Sequence, residues 1–207
     1  TRMQDEVITG IANLIESRDG STGLHVKNTQ NYVQILTKAL REKGMYPDIL
    51  DHNYELNTVK ASVLHDIGKI KTPDAILLKP GRLTDEEFEV MKQHTVAGCE
   101  IIDRIIGNVE HEEYVDIARK IARYHHERWD GTGYPDGLSG EEIPLCARIM
   151  ALADVFDALY QDRCYKKAIR PASKVFEIIK ENSGSQFDPN LTEIFLELQR
   201  EITDISE

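Results

Sequence analysis

Histidine and aspartate residues stand within apolar segments of this sequence, where an unpartnered polar side chain is costly to bury. His65 and Asp66 are adjacent at the end of an apolar helical segment, so together they could reach one metal ion or two neighbouring ions. A hydrogen-bonded surface pair is the alternative. Asp154 and Asp157 share a helix with a broad apolar face, so at least one of them needs a cation, either a metal ion or an arginine such as Arg148. Each feature alone is weak evidence for a metal site.

Two consecutive histidines stand at the predicted end of another helix. The side chains of His125 and His126 would diverge there by about 100°. They could bind two different metals, or one could bind metal while the other faces a substrate. The alternative is a solvated helix end, where histidine cations favour the negative pole of the dipole. The glycines and proline of segment 131–135 weaken that alternative, because they predict a fixed turn beside the rings. This turn would hold three side chains near the histidines: Trp129, Asp130 and Tyr134.

The remaining histidines divide into two kinds. His25 and His94 lie on apolar helix faces, where each alone is more typical of a hydrogen-bonded core residue. His52 and His111 lie in polar stretches and are predicted to be surface residues. Together, five histidines and two aspartates exceed the ligands of one tetrahedral zinc site and suit two metals that share a carboxylate. The mixed imidazole and carboxylate set favours iron or manganese.

The elements that must position these groups are predicted to be helices along nearly the whole chain. Apolar residues from Val26 to Leu40 repeat on one helix face, and Gly44 is a fitting end for that helix. The segment TDEE at Thr84–Glu87 predicts a capping box at the start of a long helix. No sustained two-residue alternation of apolar and polar residues predicts a strand. We therefore predict an all-α fold, a single helical bundle domain of roughly eight helices.

Charge and composition narrow the function classes. The 207 residues include 25 Lys and Arg against 36 Asp and Glu, and the net charge of −11 opposes binding to long nucleic acids or anionic membranes. No apolar run approaches the ~18 residues of a membrane span, so no membrane insertion of this segment is predicted. The three cysteines lack C-x-x-C spacing, which favours a reducing compartment, and we expect a cytoplasmic location. No Pro-, Gly- or Ser-rich linker divides the chain, so we expect one domain over residues 1–207.

Four segments together resemble the HD-GYP subgroup of the HD phosphohydrolase superfamily. They are HDIGK at 65–69, LLKPGRLTDEEFEVMKQH at 77–94, HHERWDGTGYP at 125–135 and ARIMALADVFDAL at 147–159. The likeness covers about residues 18–189, and the combined motif is highly specific. It implies an HD-type helical bundle, which could stand within a larger signalling protein.

The resemblance implies a metal-dependent phosphodiesterase that hydrolyses cyclic di-GMP to linear pGpG, and in some members on to GMP. It implies two divalent metal ions, iron or manganese, with Asp66 as their bridge and a metal-bound hydroxide as the nucleophile. Lys69 would act beside the scissile phosphate, and Tyr134, Arg163 and Lys166 would contact the dinucleotide. The implied metal ligands are His25, His65, Asp66, His94, His125, His126 and Asp154.

Two departures from the family pattern bear on this hypothesis. Some members bind a third metal with a glutamate four residues before the first histidine, where this chain has Ser21, so two metals are predicted. Cys164 stands where the family commonly has proline, which would stiffen this loop. The cysteine would therefore alter how firmly Arg163 and Lys166 are held.

Three alternatives to this enzyme remain open. One is a receptor that binds a cyclic dinucleotide without hydrolysing it. Another is hydrolysis of a different dinucleotide, such as cyclic GMP-AMP, and a third is a helical dimerisation module with structural histidines. A homodimer or a signalling partner could bind through residues 128–140, which we call the GYP loop.

Overall fold

Helices dominate the part of the chain that the computed structural model describes, residues 2–19, 24–107, 112–161 and 167–205, with side chains for residues 6–18 of the first segment. The one β contact among these residues is an isolated bridge between Ser183 and Phe187, so the all-α prediction is confirmed. Ten α-helices occur there, and the roughly eight that were predicted correspond to the eight longer ones. They are α1 (Arg2–Glu16), α2 (His25–Glu42), α3 (His52–Ala61), α4 (Asp74–Leu77), α5 (Asp85–Ile106), α6 (Glu112–Tyr124), α7 (Leu145–Tyr160), α8 (Ala172–Glu181), α9 (Pro189–Glu197) and α10 (Gln199–Asp204).

Local sequence signals set where several of these helices begin and end. At the start of α5, the amide of Glu87 donates to Thr84 Oγ1 at 3.2 Å, and Glu87 Oε2 accepts from the amide of Thr84 at 2.7 Å. This is the predicted capping box. At the start of α9, Asp188 Oδ1 accepts from the amide of Asn190 at 2.8 Å. Gly44, with φ of +68°, follows α2 as predicted, because glycine adopts the left-handed region without steric cost.

Helix α7 is the central element of the core and packs against α2, α6, α8 and α9. Its residues Met150, Leu152 and Phe156 are fully buried. The Phe156 ring lies among four other aromatic rings, with centroids 4.9 to 5.7 Å away: Tyr32, Tyr160, Phe176 and Phe195. This dense packing fixes the positions of the two aspartates on α7.

We call residues 65–71 the HD turn. They end in a short 3-10 helix, Ile67–Lys71, that lies directly against α5. Gly68 permits this approach, because a Cβ atom at this position would lie 1.8 Å from the carbonyl oxygen of His94 and 2.5 Å from the amide nitrogen of Gly98. The glycine of the HDIGK motif therefore brings the adjacent His–Asp pair next to the histidine of α5.

Arg148 pairs with Asp188, at the start of α9. Its Nη1 lies 2.7 Å from Asp188 Oδ2, and its guanidinium lies over the rings of Tyr46 and Trp129 at 5.6 and 5.8 Å. The alternative in which Arg148 neutralises an aspartate of α7 is therefore wrong.

Several surface and cysteine predictions can also be compared with the structure. His52 is exposed, as predicted, whereas His111 lies outside the described residues. Cys146 is buried in the core and Cys99 is half-buried, both as free thiols, and Cys164 lies outside the described residues. Among the described helices, none combines the length and apolar character that crossing a membrane requires.

Candidate metal centre

Asp66 lies at the centre of the histidine cluster, with its two carboxylate oxygens facing different rings. Its Oδ1 lies 3.2 Å from Nε2 of His94 and 3.6 Å from Nε2 of His125. Its Oδ2 lies 3.3 Å from Nε2 of His65 and 2.6 Å from Nζ of Lys69. The Asp66 carboxylate therefore stands between His94 and His125 on one side and His65 on the other.

Helices α2 and α7 supply the other side of the cluster. Nε2 of His25 lies 3.4 Å from Oδ1 of Asp154, and Nε2 of His65 lies 4.0 Å from the same oxygen. The rings of His25 and His65 meet edge to face, with centroids 5.5 Å apart. The fold thus brings the first turn of α2, the HD turn and the middle of α7 to one point.

Hydrogen bonds at Nδ1 fix the orientation of four rings. In three of them Nδ1 donates to a backbone carbonyl of the preceding turn at 2.7 to 2.9 Å. A carbonyl oxygen can only accept, so the proton sits on Nδ1 and the Nε2 lone pair is left for a metal. In the fourth, Nδ1 of His25 lies 2.6 Å from Oδ2 of Asp157. The three backbone bonds join His65 to Ser62, His94 to Met91 and His125 to Ile121.

The opposite edges of these rings explain why a metal fits. Buried polar atoms are normally hydrogen-bonded, and exceptions need a physical explanation. A divalent cation would accept a lone pair from each of the buried atoms that lack a hydrogen bond here, so the residues fit a metal centre. These atoms are Nε2 of His25, His65, His94 and His125, and Oδ1 of Asp66.

The ligand atoms form two groups, and Asp66 belongs to both. Within each group, one ligand atom from every residue lies within 4.8 Å of the others. This sharing is what a bridging carboxylate requires. The first group is Asp66, His94, His125 and His126, and the second is Glu16, His25, His65 and Asp66.

Glu16, at the end of α1, was missed by the sequence analysis. Before His25, a carboxylate was considered only at the position of Ser21, which lies outside the described residues. The available signal was the face of α1 on which Glu16 stands. Ala12 and Ile15 pack into the core on that face, and an acidic residue beside them is unusual without a cation.

Two carboxylates of the cluster, Asp66 and Asp154, are held ionised in spite of their burial. Burial opposes ionisation of Asp66, but the charges of Lys69 and His65 keep its pKa well below the ordinary value. Burial likewise opposes ionisation of Asp154, but His25 and His65 lower its pKa. Burial raises the pKa of Glu16, which favours its protonated form. The two ionised aspartates therefore concentrate negative charge where a cation would be bound.

The histidines differ in their protonation. Burial, together with the neighbouring charges of His125 and His94, lowers the pKa of His126 well below 6.5, so its ring is neutral. Burial alone would lower the pKa of His25, but Asp154 and Asp157 raise it to about 10. The carboxylates that attract a proton to His25 would attract a metal cation in its place.

His125 and His126 face the same ligand group. Helix α6 ends at Tyr124, so both histidines fall in the turn that follows, where helical rotation no longer separates their side chains. Their ring centroids lie 4.0 Å apart, and the ring of His126 lies 5.1 Å from that of His94. The predicted divergence by about 100° is therefore wrong.

Tyr134 lies against the histidine pair, as expected from the GYP loop. Its ring stacks on His126 with centroids 4.9 Å apart, and burial raises its pKa. Gly133 allows this packing, because a Cβ atom there would lie 2.6 Å from the carbonyl oxygen of His126. On its other side Tyr134 meets the edge of Phe88 at 5.9 Å, and Nζ of Lys92 lies over both rings.

The buried carboxylate of Glu127 organises the GYP loop. It accepts hydrogen bonds from three consecutive backbone amides, 136–138, at 2.7 to 3.1 Å. Trp129 and Asp130 were also expected beside the histidines, but both make other contacts. Trp129 packs over Arg148, and Asp130 accepts hydrogen bonds within the loop.

A cleft of about 280 Å³ opens on the cluster. Asp66, Lys69, His126 and Asp154 form its polar side, and α7 supplies an apolar wall. Arg163 and Lys166, which were predicted to contact the dinucleotide, lie outside the described residues. The apolar wall consists of Val155, Ala158 and Leu159.

A family model described as HD domain matches residues 11–191. The chain belongs to the HD domain family. Its motifs and its relatives place this HD domain in the HD-GYP subgroup, so the predicted resemblance is confirmed.

Curated relatives of this HD domain include enzymes acting on two kinds of dinucleotide. A Vibrio cholerae protein named cyclic di-GMP phosphodiesterase is 45% identical over 206 residues, which cover 98% of this chain and 41% of that protein. Another, named 3'3'-cGAMP-specific phosphodiesterase 2, is 37% identical over 192 residues, covering 93% of this chain and 34% of that protein. The chain therefore spans less than half the length of either relative.

A solved structure shows the same fold. The cyclic GMP-AMP specific phosphodiesterase V-cGAP3 of V. cholerae matches with a TM-score of 0.62 at 19% identity, covering 96% of this chain and 52% of that one. The HD domain architecture is thus shared at low sequence identity.

Proposed function

We propose that this HD domain is a metal-dependent phosphodiesterase that hydrolyses cyclic di-GMP to linear pGpG. The observation that carries the proposal is the position of Asp66, whose two oxygens face two different ligand groups. Such an arrangement suits a pair of divalent ions that share a carboxylate. The 45% identity to a protein named cyclic di-GMP phosphodiesterase supports the choice of substrate.

Each ligand group would hold one ion, iron or manganese by the mixture of imidazole and carboxylate ligands. Glu16 and Asp154 would add carboxylates on the side of His25 and His65. When bound, the two ions would polarise phosphate oxygens and lower the pKa of a coordinated water towards neutrality.

The chain's own residues would orient the substrate and stabilise developing charge. Nζ of Lys69 lies in the cleft beside Asp66, where an ammonium group would offset negative charge on the non-bridging phosphate oxygens. Tyr134 would contact one nucleotide from the side of His126, and the neighbouring Phe88 ring offers a face for base stacking. Arg163 and Lys166 remain predicted contacts to the dinucleotide.

A second substrate is cyclic GMP-AMP, favoured by the 37% identity to a 3'3'-cGAMP-specific phosphodiesterase. The two dinucleotides differ in one purine base, far from the phosphorus atom that the metal centre would face. A receptor that binds the dinucleotide without hydrolysing it is less consistent with the site. All seven implied metal ligands are present in this sequence, and binding alone would not require all of them. Binding of a homodimer or signalling partner through the GYP loop remains a prediction.

The experiment compares the wild-type protein with Asp66→Ala. Both are purified aerobically and anaerobically, metal content is measured by mass spectrometry, and products from each cyclic dinucleotide are separated by chromatography. We expect about two metals per chain and pGpG from the wild type. We expect Asp66→Ala to lose metal and hydrolysis while its helical circular dichroism is retained.

Asp116→Ala is the matched control, because Asp116 pairs with Lys120 on the exposed face of α6 and lies outside the cluster. This variant should keep both metal and turnover. Full turnover by metal-replete Asp66→Ala would contradict the proposed mechanism, and tight dinucleotide binding by wild type without turnover would favour the receptor.

A further inference from the structure

One guanidinium group holds the C-terminal end of the HD turn. Arg18 lies just beyond α1, 51 residues before the catalytic lysine of the turn. Its Nη1 donates to two backbone carbonyls at 3.2 Å, and its Nη2 donates to a third at 3.3 Å and to a carboxylate at 2.7 Å. The carbonyls belong to Lys69, Ile70 and Thr72, and the carboxylate to Asp74.

Arg18 supplies the carbonyls at this end with donors from outside the turn. The last carbonyls of a helix have no partner within it, and a cation there is further favoured by the helix dipole. Pro73 follows directly and has no N–H to donate. A guanidinium, with several donors in a planar fork, can satisfy neighbouring carbonyls together.

The two ends of the HD turn are supported differently. The first part is pressed against α5 through Gly68. The last part faces solvent, since Ile70 is 53% exposed and Lys71 is exposed as well. On this open side Arg18 connects the turn to α1.

The same turn sets the position of the catalytic ammonium group. Lys69 donates its amide to the carbonyl of Asp66 at 2.9 Å, and its Nζ lies 2.6 Å from that residue's carboxylate. Its carbonyl accepts from the amide of Thr72 at 3.0 Å and from Arg18. A shift of this carbonyl would therefore move the Lys69 backbone from which the side chain enters the cleft.

We propose that Arg18 is a positioning residue for Lys69. It acts through the backbone of the HD turn and does not touch the substrate. The inference rests on the proposed phosphodiesterase function for its kinetic readout, but the backbone restraint itself can be measured without any turnover.

The kinetic experiment is a double-mutant cycle on the metal-loaded protein with Arg18→Ala, Lys69→Met and the double variant. We expect Arg18→Ala to lower kcat about 10–100-fold with little change in KM, because small misplacements of a catalytic group cost about this much. In the Lys69→Met background the same change should have little further effect, because interacting residues are not additive. A residue that only stabilises the fold would lower activity equally in both backgrounds.

Hydrogen–deuterium exchange supplies a readout independent of activity. The amides of Lys69 and Thr72 should exchange faster in Arg18→Ala than in wild type, whereas amides within α7 should not change. Arg119→Ala is the matched control, since its guanidinium pairs with Asp103 on the surface and has similar exposure. It should leave both the exchange and the kinetics unchanged.

Asp74→Asn is a milder second variant that removes only the ion pair of Arg18. It should shift kcat and exchange in the same direction by a smaller amount, and it serves if Arg18→Ala does not fold. Unchanged exchange in the HD turn, or additive effects in the cycle, would overturn the inference. If wild type hydrolyses no dinucleotide while exchange still rises in Arg18→Ala, the proposed function fails and the restraint stands.

Discussion

At the scale of single residues, the position of one proton on each ring decides whether the cluster can bind metal. Three histidines donate a hydrogen bond from Nδ1 to a backbone carbonyl. Substitution of another side chain does not remove such a carbonyl. His25 differs, because its Nδ1 faces the carboxylate of Asp157. That carboxylate is itself held by Asn28 at 3.2 Å and by the hydroxyl of Tyr32 at 3.4 Å. Asp157 is therefore the orienting partner of the cluster that can be tested by mutation.

We expect Asp157→Asn to weaken metal binding about 10–100-fold, because loss of a partner that orients a ligating histidine has effects of this size. The amide keeps the shape of the carboxylate but loses the charge that makes His25 a stronger ligand. Metal affinity is measured by competition with a coloured chelator. Asp103→Asn, at an exposed ion pair, is the control, and equal affinity in both variants would contradict the role of Asp157.

At the scale of elements, the site depends on how closely two segments approach. The HD turn and α5 are in contact at a glycine on each side, Gly68 and Gly98. Gly133 plays the same part where the GYP loop meets the histidine pair. These glycines are required because the elements approach too closely to leave room for a Cβ atom. A left-handed backbone does not explain them, since none of the three has a positive φ.

Gly68→Ala should therefore separate the HD turn from α5. Its Cβ atom would meet the carbonyl of His94 at 1.8 Å, so we expect a loss of about 1–3 kcal/mol of unfolding free energy, as for other overpacked sites, together with loss of metal. Stability is measured by urea denaturation and metal by mass spectrometry.

Gly10→Ala is the matched control within α1, where a Cβ atom has no neighbour within 4 Å. It should stabilise the protein by about 0.5–1 kcal/mol, because alanine is the better helix former. If Gly68→Ala were as well tolerated as Gly10→Ala, the close packing would not be what brings His94 to the HD turn.

At the scale of the whole molecule, buried charge links stability to pH in the metal-free protein. The folded protein keeps the proton of His25, whose pKa is raised to about 10 by Asp154 and Asp157 against the effect of burial. This contribution to stability is complete below pH 6.5 and is lost as pH rises towards 10. Burial lowers the pKa of His125 and His126, so their contribution is complete above pH 6.5 and is lost as pH falls.

We expect the metal-free protein to be most stable near pH 6.5 and to lose stability on both sides. Saturation with Mn²⁺ should remove the alkaline loss that comes from His25, because the ion replaces its proton, and should steepen the acid loss. Denaturation at pH 5, 6.5 and 9, with chelator or with Mn²⁺, tests both parts. The exposed His52→Gln variant should follow the wild type. An alkaline loss unaffected by metal would contradict the assignment of His25 as a ligand.

Much of the fold and the members of the histidine and aspartate cluster could be predicted from the sequence, because helical periodicity and motif spacing are local. The meeting of His25 with Asp154 follows from the resemblance and is found in the structure. The relative directions of His125 and His126 could not be predicted, since they depend on where α6 ends. Glu16 was missed for another reason: its one signal was a position beside Ala12 and Ile15 on the buried face of α1, and a single acidic residue has no distinctive spacing.

The position of α1 has a consequence for the size of the functional unit. A fragment beginning at His25 would keep all seven ligands that the motifs imply, and every helix from α2 onwards. It would lack Glu16, which stands in the second ligand group, and Arg18, which restrains the HD turn. We therefore expect the motifs to underestimate the smallest piece with the proposed activity, because Glu16 and Arg18 both stand before the first motif histidine.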